Sequence, residues 1–514
     1  MIPFVTKSDT LRANLILNNL GSAEATVSIR LNTGNGQVVG ERSWTLNSFE
    51  FLQVNGILDF FPLDGALDPF EGYFELLSSE PVSGSLAQIT NDGAILFLSA
   101  IGQDSDHFLI PIFGGETSAT ALSILNHEDQ PAEVGLIVRN PAGASFSLPT
   151  LSLGPRNQHL IPDLGSLTMG AGNDAWLEVV GRPGSRLVVA WKLTHAQNTS
   201  SEFSPGIPTS QAAREQYLPF QVTADGFDSR ITVANTTAEA TELQFDFFAP
   251  TGVKILKRYL ALEGFSTLEL VVADVLSEVI GGPAFGLVRI AAEREIVAAS
   301  LLRNPSPGGT LLVTGQAEGS RQWLIPSAAR VGPFVSSLMV SNLGRTPALA
   351  RVQAKDRHGV GTGTPVEWLM PPRATVRQSD ILNHLLLPEG SYGPVTVESV
   401  SGEPLIVLSE VIDRSRATSG FFASTDTTPS VRKRMGELLH LSWQYPDLSR
   451  ISEFRIYRGT RRTEAFEQVG TVQAPDLEYW LQADSPGRFL FVVTAFSDGI
   501  ESWPSEEVVV EVSE

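Results

Sequence analysis

Seven histidines, His107, His127, His159, His195, His358, His384 and His440, are the residues of this chain best suited to bind a metal or move a proton near neutral pH. They are scattered at unequal places along 514 residues, and no His-x-x-x-His pair sets two imidazoles on one helical face. No shared zinc site is expected. The chain has no Gly-x-Ser-x-Gly elbow and no phosphate loop, and Gly34-Asn35-Gly36 to Gly40 mimics a dinucleotide fingerprint without a helix after it. Asp104 and Asp106 could hold calcium, but no Asp-x-Asp-x-Asp-Gly loop surrounds them, so a solvated linker is expected. With no cysteine there is no disulfide, thiolate ligand or Cys nucleophile. The expectation is no catalytic residue, no cofactor-binding residue and no metal ligand.

Two further sets of residues invite a chemical reading and have a simpler one. Asp163, Asp274 and Asp380, with Asn55 before Gly56-Ile57-Leu58, each precede an apolar pair or near-pair, the pattern of a helix N-cap whose side chain accepts free backbone N–H groups. Trp176 and Trp191 could stack on a sugar. However, Trp176 occupies a position that is Phe74 and Val397 elsewhere in the repeat described below, and Val189, Trp191 and Leu193 alternate as one strand face, so both rings are expected in the core.

The elements that must position all of these are repeated. An apolar-Pro pair recurs at Ile2-Pro3, Ile110-Pro111, Leu218-Pro219 and Ile325-Pro326, with the prolines 108, 108 and 107 residues apart. In each copy an Asn is followed seventeen residues later by a Gly: Asn19 and Gly36, Asn126 and Gly143, Asn235 and Gly252, Asn342 and Gly359. A period of this length matches one domain and not a solenoid repeat. Alternation of Ala25, Val27, Ile29 and Leu31 with polar residues, and of Leu243, Phe245 and Phe247 with Gln244 and Asp246, predicts half-buried strands. The Asn and Gly fall at turns, where both tolerate positive φ.

Composition limits the partners. With 36 basic and 57 acidic residues the net charge is -21, which opposes binding to nucleic acid and to anionic membrane surfaces. No run of eighteen apolar residues spans a bilayer. Only Ile2 separates Met1 from Pro3, which leaves no room for a leader, so the expectation is that either a leader was removed or the chain is an excised piece. Between copies, Gly102 to Asp106 reads as a tight linker and Thr194 to Gln211 as a looser one where bending is expected, while Ala423 to Gly436, with Arg432-Lys433-Arg434, reads as a solvated hinge.

Beyond residue 436 the pattern changes. Leu439, Leu441 and Trp443 alternate before Pro446, Phe454, Ile456 and Tyr457 lead into Arg458-Gly459, and Phe489, Phe491, Val493 and Ala495 lead into Asp498-Gly499 and then Glu501-Ser502 and Pro504-Ser505. Residues 436 to 513 thus resemble a fibronectin type III domain, with Phe489 where the family's corner Tyr usually stands. The family's Arg-Gly-Asp tripeptide is absent, since Arg458-Gly459 continues with Thr460. More loosely, residues 1 to 422 are similar to the immunoglobulin-like sandwich modules of bacterial surface and secreted proteins. That resemblance implies adhesion, spacing, filament building or support of a secreted enzyme.

The expected fold is all-β, five tandem sandwiches with boundaries at 1–106, 107–214, 215–321, 322–430 and 431–514, elongated to about 150 Å or more at about 3.3 Å per strand residue. The expected function is a non-enzymatic extracellular structural or adhesive protein of a bacterium: a surface spacer, adhesin or filament subunit. A carbohydrate-binding accessory region stands second. Expected partners are proteins or cell surfaces, glycans, or other copies of the chain through exposed edge strands, with no nucleic acid and no membrane insertion.

Overall fold

In a computed structural model the chain divides into two compact units, one made of Met1–Ala317 with Trp323–Thr425, the other of Glu318–Gln322 with Asp426–Glu514. The structure describes residues 1–63, 70–91, 95–112, 118–167, 175–195, 201–222, 228–277, 279, 284–303, 310–413, 418–422, 425–426, 430–443, 451–460, 466–497, 500–502, 505 and 508–513. Pro446, Asp498-Gly499 and Pro504, and parts of the second and third linkers named above, lie outside them.

The predicted period-2 strands form where expected. In copy one, Ala25–Thr33 buries Ala25, Val27, Ile29 and Leu31, and its polar residues Thr26, Ser28 and Arg30 face outward. It lies in a sheet ordered (Ile2–Lys7)-(Phe70–Ser78)-(Ala25–Thr33)-(Val38–Leu46), which packs on a second ordered (Phe51–Val54)-(Leu11–Asn19)-(Val82–Thr90)-(Ile95–Ser99). Leu15, Leu17, Val27, Leu31, Phe74 and Leu86 fill the space between them. Copy two repeats this arrangement. In copy three a single 20-residue strand, Ala284–Arg303, serves both sheets, pairing with Thr241–Phe248 through its first half and with Asp228–Asn235 through its second. The alternation there has one exception, because Asp246 is buried beside Lys254 and Arg289.

The all-β sandwich class is therefore as expected, but residues 1–425 are not a row of separate beads. The last strand of each copy, Ile95–Ser99, Ser201–Pro205, Thr310–Thr314 and Thr418–Phe422, lies against the last strand of the next, and that of copy four lies against that of copy one. Cores run across the boundaries: Phe203 of copy two packs on the core of copy one, Leu301 and Leu312 on that of copy two, and Leu408 on that of copy three. Ile16, Phe51, Ala87 and Phe97 of copy one are part of the core of copy four. Burial of apolar surface between copies, invisible to strand periodicity within a copy, overrides the extended arrangement.

Two linkers change their meaning for the same reason. Within Thr194 to Gln211, Ser201–Pro205 is one of these last strands and Ile207–Pro208 pairs with His107–Ile112, so residues 201–208 are structural elements and not a bend. The apolar residues Phe203 and Ile207 hold a Ser- and Thr-rich stretch in place. The basic triplet Arg432-Lys433-Arg434 sits in a strand, Ser430–Arg434, paired in parallel with Val508–Ser513, and not in a hinge. In the tight linker, Ser105 exchanges both backbone hydrogen bonds with Leu187, Asp106 accepts the Gly184 N–H at 2.7 Å, and Asp104 accepts Arg186 Nε at 2.7 Å.

The C-terminal unit has one sheet ordered (Ser430–Arg434)-(Val508–Ser513)-(Gly487–Ser497)-(Glu453–Gly459)-(Glu467–Gln473) and a facing pair, Leu438–Ser442 with Glu478–Gln482. Leu439, Leu441, Ile456, Phe491 and Val510 fill its core, and Trp443 meets Phe454 edge to face at 5.5 Å. Phe489 packs at the margin of this core with the Arg458 guanidinium 5.4 Å from its ring.

Candidate functional site

The residues repeated four times come together at the joints between copies. Each Asn ends a strand with its amide buried. Asn342 Nδ2 donates to the carbonyls of Thr346, Met370 and Pro371 at 2.9, 3.2 and 3.1 Å, while its Oδ1 accepts the Gly344 N–H at 2.7 Å. Asn19 does the same with Ala23, Leu46, Asn47 and Gly21, Asn126 with Gln130, Leu153, Gly154 and Glu128, and Asn235 with Glu239, Glu263 and Thr237. The expectation that Asn serves by accepting positive φ is corrected. It serves through its side chain, which supplies partners to carbonyls that would otherwise be buried without them.

What this amide anchors is a loop whose key residue, two positions beyond the last anchored carbonyl, is left-handed: Phe49, Arg156, Phe265 and Arg373, with φ of 59, 58, 55 and 63°. That strained backbone receives the turn of the preceding copy. The turn glycines Gly36, Gly143, Gly252 and Gly359 all have positive φ, as expected, and their second role is closeness. A Cβ on Gly252 would lie 2.2 Å from the Pro372 carbonyl oxygen, and one on Gly359 would lie 2.5 Å from that of Phe49.

One backbone hydrogen bond is reproduced at every joint. Gln158 N–H donates to the Gly34 carbonyl at 2.8 Å, Thr267 to Pro141 at 3.2 Å, Thr375 to Pro250 at 2.9 Å and Phe51 to Arg357 at 2.9 Å. Each donor lies two residues after a left-handed residue, and each acceptor lies two before a turn glycine. The fourth of these bonds joins copy four to copy one.

Side chains complete the joints differently. Tyr73 donates its hydroxyl to the Arg156 carbonyl at 2.8 Å, and burial pushes its pKa up to about 12. The Arg139 guanidinium lies 4.1 Å over Phe265, Arg373 lies 4.8 Å over Tyr217, and Lys355 Nζ lies 4.8 Å over Phe49. Arg139 is held by Glu178, which also faces His107 Nε2 at 3.6 Å, and Glu215 holds Arg289 and accepts the Tyr217 hydroxyl at 2.8 Å. Burial works to raise the Glu178 and Glu215 carboxyls. The hydrogen bonds from His107 and Arg139, and from Arg289 and Tyr217, outweigh it and hold both below the ordinary carboxylate range.

The sign of the resulting pH dependence follows. A depressed carboxyl contributes stability that is present above its unfolded pKa, about 4.3 for Glu, and that is lost as pH falls through its folded value. The urea midpoint of the Met1–Thr425 unit should be level down to about pH 5 and fall below about pH 4.5. A Glu178→Gln, Glu215→Gln double variant should show a shallower fall, and an identical slope would show that these pairs do not carry it.

The other candidates fall into place separately. Trp176 and Trp191 are buried, Trp191 in the core of copy two and Trp176 against Ala234, Val297 and Ala299 of copy three. Asp380 caps its short helix through the Asn383 N–H, and Asp163 accepts the Gly165 N–H. Asp274 instead lies inside the first turn, where Asp228 from a neighbouring strand accepts the Ala273 N–H. Asn55 is replaced as cap by Gly56, whose N–H goes to Asn14. Among the described residues no three His, Asp or Glu converge as a metal site, and no helix is long and apolar enough to cross a membrane.

Sequence reasoning missed the left-handed residues because their identities alternate between Phe and Arg. Only their constant distance from the Asn, thirty or thirty-one residues, marks them. It also missed Trp480 of the C-terminal unit, an exposed indole stacked at 4.0 Å and 10° on His440, whose Nε2 lies 3.2 Å from Glu478 Oε2.

No protein-family model matches the chain, and no curated protein sequence matches it. Among solved structures the chain is similar to an Fn3-like protein from Clostridium thermocellum, at 18% identity over 17% of this chain and 92% of that one, with a TM-score of 0.14. It is similar to the chicken CNTN1 FN1–FN3 domains at 12% identity, over 55% of this chain and 98% of that one, with a TM-score of 0.15. It is also similar to the BSP domain of a biofilm-associated protein, at 8% identity over 80% of this chain and 96% of that one, again with a TM-score of 0.15.

Proposed function

We propose that this is a non-enzymatic extracellular protein of a bacterium with a structural or adhesive role, in which residues 1–425 act as a self-closed scaffold. The observation that supports this reading is the joint. At four equivalent places an amide anchors, within its own copy, a left-handed loop on which the turn glycine of another copy is seated, and the repeated Asn and Gly are neither nucleophiles, bases nor metal ligands. The full chain should give no turnover on ester, peptide, glycoside and phosphoester panels with or without added zinc or calcium, and the labelled chain should bind the surface of the producing cells. Turnover abolished by a single side-chain substitution would sink the proposal.

A second reading, glycan recognition, is favoured by one observation. Trp480 offers an open indole beside the polar groups of His440, Glu478 and Gln482, which lie on the same face of the two-stranded pair. Glycan binding lost in Trp480→Ala and kept in Trp191→Phe would bring this reading forward.

A further inference from the structure

The fourth joint has a connectivity of its own: copies four and one are not neighbours in the chain, so no linker bridges it. Its backbone contacts are those of the other three, and its side chains are its own. Phe51 N–H donates to the Arg357 carbonyl, Gly359 lies against the Phe49 backbone, Lys355 covers the Phe49 ring, and Phe51 meets Tyr392 edge to face at 6.3 Å. The two surfaces are also unlike each other. Copy one presents the left-handed loop and the buried Phe51, and copy four presents the glycine turn. A head-to-tail pair of this kind closes a ring when both halves belong to one chain and grows when they do not.

We propose that the joint between copies four and one is exchangeable, so that the copy-four turn of one molecule docks on the Phe49–Phe51 loop of a second copy of this chain. The occupant is argued from continuity with the existing joint, because the open form of one molecule displays the two complementary halves already seen in contact. Within one chain the tether through copies two and three supplies an effective concentration on the order of mM, so closure prevails in dilute solution. Refolding at high concentration lets the same contact form between chains. This stands apart from the functional reading above and holds whether or not the protein is adhesive.

The test uses the full chain, which has no cysteine of its own. Phe51 and Arg357 meet backbone to backbone across the joint at 2.9 Å, so cysteines at these two positions are the lock, its closure checked by thiol titration. Two differently tagged chains are denatured, mixed, refolded at high and at low concentration, and weighed by native mass spectrometry. Mixed two-chain assemblies are expected only at high concentration and should persist on dilution. In a Phe51→Cys, Arg357→Cys variant oxidised before mixing they should fall at least ten-fold, and reduction of the same protein should restore them. The reduced form is thus the reference for any loss of packing. Absence of mixed assemblies from wild type at every concentration, or assemblies indifferent to the lock, as pairing through exposed edge strands would be, overturns the proposal.

Discussion

Asn342→Ala is expected to destabilise the Met1–Thr425 unit by about 3–4 kcal/mol, because it leaves several buried backbone groups without partners at once. Three carbonyls, those of Thr346, Met370 and Pro371, lose their donor, and the Gly344 N–H loses its acceptor. The site is fully buried and water cannot replace the amide without opening the loop. Asn342→Asp separates geometry from donation. It keeps the shape and the acceptor but points a carboxylate at three carbonyl oxygens, so its pKa should rise in the folded state. The penalty of this variant should then grow as pH climbs above about 4, where the unfolded carboxyl ionises, and part of it should vanish below that, whereas that of Asn342→Ala should not. Urea titrations at pH 3 and pH 7 read both effects. Equal penalties for Asp at the two pH values would show that the amide is not the donor claimed.

Gly252→Ala should be the next largest effect, about 3 kcal/mol, and Gly390→Ala gives its control. Both residues have nearly the same φ, 84 and 89°. Left-handed backbone alone costs an alanine about 1–2 kcal/mol. Around Gly390 an added Cβ meets nothing within 4 Å, while at Gly252 it meets the Pro372 oxygen at 2.2 Å and the Ala374 nitrogen at 3.0 Å. The difference between the two variants therefore measures how tightly copy three is seated on copy four. Hydrogen exchange should locate it, with the Thr375 N–H, which donates to Pro250, losing protection only in Gly252→Ala. Equal losses of stability in both variants would mean that the joint is soft and strain is the whole cost.

The strands and their inward faces were legible because burial inside a sandwich imposes a period of two. Ala25, Val27, Ile29 and Leu31 announce themselves, and so do Trp191 and the alternation of the C-terminal unit. The four-fold register of Asn and Gly was legible too, since each position tolerates only one residue type: an amide to donate and accept together, and a residue without a Cβ. What receives the glycine was not. The receiving group is backbone, so Phe49, Arg156, Phe265 and Arg373 differ in side chain without changing the contact. The contacts among the last strands of the copies were hidden for a related reason. Ser201–Pro205 pairs with Leu187–His195 of its own copy, but it reads as a loose linker because the strands it packs against, Ile95–Ser99 and Thr310–Thr314, come from other copies and no local window of sequence contains them.

The buried amides set what kind of environment this protein can endure. A carboxamide neither gains nor loses a proton over the range in which proteins live, and the chain has no sulfhydryl to be oxidised. The stitches inside each sandwich are therefore indifferent to acidity and redox potential, while the Arg–Glu contacts beside the joints respond to acid and to salt. Acid would therefore strip charge pairs inside copies two and three, and with them the hold on Arg139 over Phe265 of the next copy, while leaving the amides as they are.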